Sequence, residues 1–172
     1  MVFPFSFVSN PYVLPVALWC FLAAPLLIGT DLHQASNETL AILGATELIA
    51  IDQDPLGFQG RVVANGTKSE PMRTSRGQGG ALHEADPAQP SYQIYAKKLS
   101  DKSVGVLLLN RGDNACNITV TFADAWWSAP SAIVRDLWAE EDLGTFHGSY
   151  TAVAVPSHGT AALRLKPAAQ SG

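Results

Sequence analysis

The stretch Cys116-Asn117-Ile118-Thr119-Val120-Thr121-Phe122 alternates apolar and polar side chains along its length. Successive side chains of a strand point to opposite faces, so Ile118, Val120 and Phe122 share one face and the polar residues share the other. A strand with one wet face is typical of an antiparallel sandwich rather than a parallel sheet. The same alternation returns at Thr160–Lys166, which indicates that an all-β domain fills the second half of the chain.

Further alternating segments separated by turn residues extend this pattern in both directions. We predict strands at Tyr92–Lys98, Val104–Asn110, Cys116–Phe122, Ala132–Leu137, Ser149–Val155 and Thr160–Lys166, with weaker ones near Gln59–Val63 and Leu143–Phe146. The segment from Ala64 to Ser91 is rich in Gly, Ser, Pro and Gln without periodicity, which predicts a surface loop. We therefore assign residues 58–172 to a C-terminal β-sandwich domain.

The first third of the chain has a helical rather than an alternating pattern. Residues 16–24 lack a helix breaker, Leu26–Ile28 resemble a strand buried on both faces, and Ser36 can cap a helix that ends at Gly44. A second short helix is predicted from a Thr46 cap through Ile51, stopped by Pro55. Helix, buried strand and helix indicate a β/α unit over residues 16–57. Residues 1–15 form a separate apolar segment, which we expect to be poorly ordered.

Composition excludes several classes of protein. With 172 residues, 47% of them hydrophobic and 15% charged, the chain does not have the signature of a disordered protein. Its net charge of -4 and its lack of clustered cations argue against nucleic acid as a partner. No charged residue precedes Asp31, but four prolines interrupt that stretch, which argues against a membrane helix. Two cysteines, Cys20 and Cys116, cannot form a disulfide framework, although one long-range bridge stays open.

Three N-glycosylation acceptor sequences indicate a secretory route. They begin at Asn37, Asn65 and Asn117, and each has a threonine two residues later with no proline between. One such match is weak, and three together favour passage through the secretory pathway. Residues 1–29 are a poor signal peptide, because the segment starts without a cation. A membrane or export segment there remains an alternative.

A series of motifs occurs in order along the chain. They are Leu18-Trp19, Ala23-Ala24-Pro25-Leu26-Leu27-Ile28-Gly29, Asp31, Glu38–Leu43, Ile49-Ala50-Ile51, Gln53–Gly57, Val106–Arg111, Asp136-Leu137-Trp138, Asp142–Phe146, Pro156, His158-Gly159 and Leu163-Arg164-Leu165. Together they resemble those of one enzyme family, the melibiase type of α-galactosidase, glycoside hydrolase family 27. Two positions depart from the family pattern: Asp52 stands where the family usually has Asn, and Thr30 where plant members often have Cys. Residues 1–15 match no family motif.

The resemblance implies the last β/α unit of a TIM barrel followed by an antiparallel Greek-key β-sandwich, with a mostly β fold. It implies part of an enzyme that removes terminal α-linked galactose with retention, without a cofactor, in a secreted, lysosomal or vacuolar setting. The family's nucleophile and acid/base lie on earlier strands, so no catalytic, cofactor or metal residue is carried over, and we expect the chain alone to be inactive. The alternative is a non-catalytic sandwich that binds carbohydrate or a partner.

For the acidic residues considered as site candidates, structural roles are favoured over functional ones. Asp31 follows the predicted barrel strand, where barrel enzymes place their chemistry, but a loop hydrogen bond is the favoured role. Asp52 and Asp54 fall at a helix end, where turn formation is the default. The cluster Glu140-Glu141-Asp142 could suggest a metal, but solvated side chains between strands are favoured over an incomplete ligand set.

Tryptophan and histidine side chains are the other candidates for a functional site. Trp126, Trp127 and Trp138 could stack on sugars, although filling the sandwich core is the favoured role. The four histidines, His33, His83, His147 and His158, have no zinc-ligand spacing. We also expect self-association through the apolar strand Leu26–Ile28, which lacks its parallel neighbours.

Overall fold

The structure, a computed structural model, describes residues 12–66 and 91–168. Three helices precede eight strands along the chain. The helices are α1 (Val13–Leu22), α2 (Asn37–Leu43) and α3 (Thr46–Asp52). The strands are β1 (Arg61–Gly66), β2 (Tyr92–Lys98), β3 (Val104–Asn110), β4 (Cys116–Thr121), β5 (Ser131–Asp136), β6 (Glu141–His147), β7 (Ser149–Val155) and β8 (Thr160–Lys166).

The strands form the predicted antiparallel sandwich. One sheet has six strands in the order β1-β2-β3-β8-β5-β6, the other pairs β4 with β7, and every neighbouring pair is antiparallel. Because β4 and β7 lie in the second sheet, the chain crosses between the sheets before and after each of them. The faces that meet supply one apolar core, which includes Ile94, Val106, Ile118, Phe122 and Leu163. The alternation at residues 116–122 therefore indicated both the strand and its buried face.

A layer of helices covers the other face of the six-stranded sheet. Val16, Ala17, Cys20 and Phe21 of α1 are buried in a second apolar cluster. That cluster also contains Leu48 and Ile51 of α3 and Leu107 and Ala162 of the sheet. The six-stranded sheet is thus the middle of three layers, and the first third of the chain folds onto the sandwich rather than beside it.

Two glycines permit this close packing. A β-carbon on Gly105 of β3 would lie 3.1 Å from the Phe21 ring, and one on Gly60 would lie 2.8 Å from the Phe21 carbonyl oxygen. The Gly60 amide instead donates a hydrogen bond to that oxygen over 2.7 Å. The C-terminal end of α1 is therefore held against the sheet at two points where a larger residue would clash.

The predicted buried strand Leu26–Ile28 is wrong. No strand forms there, and Leu27 and Ile28 are 82% and 51% exposed. A strand buried on both faces needs parallel neighbours on either side, and the described part of the chain supplies only antiparallel strands elsewhere. Leu26 packs against the helical cluster, whereas Leu27 and Ile28 remain uncovered.

Several boundaries also differ from those predicted. Helix α1 begins at Val13 and crosses the predicted division between residues 15 and 16, and Ala45 rather than Thr46 is the N-cap of α3. The cap at Ser36 and the helix end at Gly44 are confirmed. Strand β1 lies slightly later than predicted and takes in Ala64–Gly66 of the expected loop, and β6 is longer. The rest of that loop, residues 67–90, and the first eleven residues lie outside the described part of the chain.

Candidate functional site

The three aspartates in the first third of the chain, Asp31, Asp52 and Asp54, have different surroundings. Asp31 accepts a hydrogen bond from the His33 amide over 3.0 Å and one from Gln34 over 2.8 Å, both inside its own turn. Asp54 accepts bonds from the amide and hydroxyl of Ser100 at 2.9 and 2.8 Å and from the Leu56 amide. Although burial raises its pKa, these hydrogen bonds hold the pKa of the Asp54 carboxyl below its ordinary value. Both residues shape loops, in agreement with the favoured interpretation.

Asp52 belongs to a buried polar cluster between the helices and the sheet. Lys97 of β2 is fully buried, and its Nζ donates to the Ile51 carbonyl over 2.6 Å and to the Cys20 carbonyl over 3.4 Å. One ammonium therefore binds the C-terminal ends of both α1 and α3, where a cation is favoured by the helix dipoles. Burial lowers the pKa of Lys97, and the nearby Asp52 carboxylate offsets part of this effect.

The same cluster explains the state of the Cys20 thiol. Burial, helped by the charge of Asp52, raises the pKa of Cys20 to about 12, which makes it a poor nucleophile. Cys116 lies in the core on the opposite face of the six-stranded sheet. The sheet separates the two sulfurs, so they form no bridge with each other.

The acidic cluster 140–142 joins the helical layer to the sandwich instead of only facing water. Arg135 of β5 makes hydrogen bonds to both carboxylate oxygens of Glu47 in α3, one of them at 2.5 Å, and reaches Asp142 at 3.2 Å. Glu140 accepts a bond from the Thr46 hydroxyl over 2.8 Å, and Asp142 also pairs with Lys166. Glu140 and Asp142 are exposed, as expected, and in addition each binds other side chains.

Metal ligation has no support within residues 12–66 and 91–168, where no group of three His, Cys, Asp or Glu side chains could hold an ion. His33, His147 and His158 are all exposed, and His158 lies 3.6 Å from Asp113. His83 lies outside the described residues. Over the same ranges, no helix has the length and hydropathy needed to span a bilayer.

The tryptophans divide into structural and exposed residues. Trp127 is 9% exposed, packs in the sandwich core and donates its Nε1 proton to the Ser131 carbonyl over 2.9 Å. Trp138 is half-buried against the helical cluster. Trp126 is 41% exposed, so the interpretation as a core residue is correct for Trp127 and wrong for Trp126.

Trp126 lies on the wall of a surface groove of about 380 Å³. The groove, called here the aromatic groove, is lined by Leu56, Phe58, Lys98, Leu99, Lys102, Ser103, Val104, Trp126, Trp127, Ser128, Ala129 and Pro167. It forms where the segment after α3, the β2–β3 turn and the turn after β4 meet. Exposed rings and cations thus line the same concavity.

Sequence reasoning missed Lys97, Arg135 and Glu47. Alternation along β2 places Lys97 on the face of the strand that does not carry Ile94 and Ala96. From the sequence alone, that face is expected to contact solvent. The available signal was the resemblance itself, because a barrel unit that precedes the sandwich must pack on one of its faces. Nothing local in the sequence says which face.

Comparison with known families matches both parts of the chain. A family model described as "Alpha galactosidase C-terminal beta sandwich domain" matches residues 89–165, and one described as "Alpha galactosidase A" matches residues 2–54. The second match includes residues 2–15, which the sequence analysis treated as unrelated to the family.

Individual relatives agree with these matches. The "Probable alpha-galactosidase" of Dictyostelium discoideum is 37% identical over 92% of this chain, and "Alpha-galactosidase 2" of Arabidopsis thaliana is 32% identical over 84%. The crystal structure of α-galactosidase I from Mortierella vinacea superposes with a TM-score of 0.73 at 28% identity, over 94% of this chain and 36% of that one. The chain spans 36% and 29% of the length of the two relatives.

Proposed function

The chain belongs to glycoside hydrolase family 27 and corresponds to the C-terminal part of its α-galactosidases, and on that premise we propose that it serves an enzyme that removes terminal α-linked galactose with retention. Its contribution is the layer of helices α1, α2 and α3 and the sandwich on which that layer rests. The observation that carries this proposal is that both parts of the chain, the helical layer and the sandwich, match α-galactosidases in the same order.

We propose further that this chain alone is inactive. Retaining hydrolysis needs two carboxyl groups about 5–5.5 Å apart on either side of the scissile bond. In a (β/α)8 barrel such groups come from the C-terminal ends of several strands. Among the described residues, Asp31 is bound within its own turn, Asp52 is buried and Asp54 is held by Ser100. These contacts leave no two of these three aspartates free to flank a sugar.

An aryl α-galactoside tests the inactivity directly. The purified chain should release phenol no faster than buffer, because loss of catalytic carboxyls commonly removes several orders of magnitude in rate. Turnover above the blank that disappears in Asp31→Asn, Asp52→Asn or Asp54→Asn would contradict the proposal. Asp113→Asn, an exposed change at the other end of the sandwich, is the matched control.

The route through the secretory pathway is part of the same proposal. Asn37, Asn65 and Asn117 are all exposed, at the start of α2 and on β1 and β4. The Asn117 Oδ1 accepts a bond from the Ala154 amide, which leaves its Nδ2 for a glycan. Expression in a eukaryotic secretory host should give three size shifts that an N-glycosidase removes, one lost with each Asn→Gln change. An unglycosylated product would contradict the secretory assignment.

A second candidate function is binding of carbohydrate or a partner without catalysis. The exposed indole of Trp126 in the aromatic groove is the observation that favours it. Saturable binding of a sugar by the isolated chain, lost on changing Trp126 but not Trp19, would support this function. Absence of such binding would leave only the contribution to the barrel.

A further inference from the structure

The conformation of Trp126 is one that folding alone does not favour. Its φ of +59° lies in the left-handed region, which costs an ordinary residue about 1–2 kcal/mol and suits glycine or asparagine. The turn that imposes it is made by backbone bonds, from the Trp126 amide to Ala123 and from the Trp127 amide to Phe122. The chain therefore places a large, exposed ring where a small residue would be more stable. Five other described non-glycine residues, among them Lys102 of the same groove, also have a positive φ, so this strain marks Trp126 as a functional position only together with the surroundings of its ring.

The neighbouring tryptophan shows what a structural role looks like in the same turn. Trp127 is buried, and its Nε1 proton is bound to the Ser131 carbonyl. The Trp126 indole makes no hydrogen bond to a described residue and lies outside the core, and the exposed Phe58 ring lines the same groove. Two exposed aromatic rings in one concavity can stack on the C–H face of a sugar ring, which is apolar on one side and polar at its rim.

The charge of the groove adds a second and independent observation. Lys98 and Lys102 line it, and none of its lining residues is acidic, although the whole chain carries a net charge of -4. Neither lysine forms an ion pair with any described residue, whereas Arg135, Arg164 and Lys166 all do. The Lys98 Nζ lies 5.6 Å from the centre of the Trp126 ring, so a cation is held beside the exposed ring.

We propose that the aromatic groove binds a saccharide that carries a carboxylate. The rings of Trp126 and Phe58 stack on the sugar, and the ammonium groups of Lys98 and Lys102 bind the carboxylate. A neutral sugar would interact with the aromatic rings but not with the lysines, and a simple anion would interact with the lysines but not with the rings. The inference rests on the second candidate function and is independent of hydrolysis.

Trigalacturonate and its methyl ester form a matched pair of probes, because they share the sugar ring and differ in charge. Titration of the whole chain, followed by the NMR signals of the four indole N–H groups, should move the Trp126 signal with a Kd of about 1 mM or tighter. The Trp19 signal should stay in place. The ester should bind at least about tenfold more weakly, and added salt should weaken the acid alone.

Variants separate the two kinds of contact. Trp126→Asn keeps a residue that tolerates the left-handed conformation and should abolish binding of both probes, while Trp19→Ala, an exposed indole on α1, should change nothing. Lys98→Met with Lys102→Met should lower the affinity for the acid to that for the ester. Equal binding of acid and ester would overturn the charged ligand while leaving sugar binding in place. No shift with either probe up to about 10 mM would overturn the site, whatever the hydrolysis assay shows.

Discussion

The two faces of the six-stranded sheet are covered in different ways. The inner face meets β4 and β7 across a continuous apolar core. The outer face meets two short helices, and a buried lysine and an arginine–glutamate pair link them to the sheet. Beyond those helices, Trp19, Leu27, Ile28, Leu32 and Leu40 remain exposed. The sandwich thus completes its own core, whereas the helical layer is only half covered, as expected of a unit that normally has barrel neighbours.

The largest effect is expected from the Lys97 ammonium on the outer face. Lys97→Met keeps most of the volume but leaves two helix-end carbonyls without their donor and the Asp52 carboxylate without its cation. Breaking a buried charge cluster in this way costs about 3–5 kcal/mol of unfolding free energy. Urea unfolding measures the loss, and Lys98→Met, the exposed neighbour, should stay within about 0.5 kcal/mol of the parent.

A double variant tests whether Asp52 and Lys97 interact. Adding Asp52→Asn to Lys97→Met removes the orphaned carboxylate, so it should recover about 0.5–3 kcal/mol of the loss. Strictly additive effects would mean that Asp52 and Lys97 do not interact, and the loss in Lys97→Met would then come from the two helix-end carbonyls alone.

The sequence predicted the inner face of the six-stranded sheet better than the outer face, for a physical reason. Alternation and short apolar runs bounded by turn residues are local properties, and they located β2, β3, β7 and β8 at their observed bounds. Which elements cover the outer face depends on contacts between residues far apart in the chain, such as Lys97 with Ile51. The apolar run Leu26–Ile28 was misread because a buried strand is defined by neighbours that the run itself does not encode. Trp126 was misassigned because composition does not distinguish a core ring from an exposed one.

A smaller effect, with a defined pH dependence, is expected at Asp136, where β5 ends near both layers. Burial raises the pKa of its carboxyl, although the amides of Ala139 and Trp138 donate hydrogen bonds that lower it. Between the ordinary Asp pKa and the raised pKa of Asp136, the native state holds a proton that the unfolded chain has released. The stability of the fold therefore falls as pH rises above the ordinary Asp pKa. Asp136→Asn keeps an accepting oxygen and should be more stable than the parent at pH 7.

The pH profile supplies the control. The advantage of Asp136→Asn should vanish below about pH 3, where both states of the parent are protonated. Asp136→Ala removes the acceptor and should be less stable across the whole range. A constant difference between the Asn variant and the parent at every pH would show that proton binding at Asp136 is not involved.

The smallest effect on stability is expected from the uncovered segment. Leu27→Ser with Ile28→Ser should change the unfolding free energy by less than about 0.5 kcal/mol, because neither side chain packs in the core. Self-association should nevertheless fall, since an exposed apolar patch is removed. Sedimentation velocity at several concentrations measures this. Deleting residues 1–56 would not isolate this effect, because it would also uncover Leu107 and Ala162.

Native-state hydrogen exchange tests most directly whether the helical layer and the sandwich fold as one body. If Lys97 and Arg135 join them as described, the amides of Cys20 and Phe21 in α1 should open with the same free energy as that of Leu107 in β3. Lys97→Met should lower the opening free energy of α1 more than that of β3. Exchange in α1 that is about a hundredfold faster than in β3 and unchanged by Lys97→Met would contradict the account, since the helices would then be bound to the sheet only loosely.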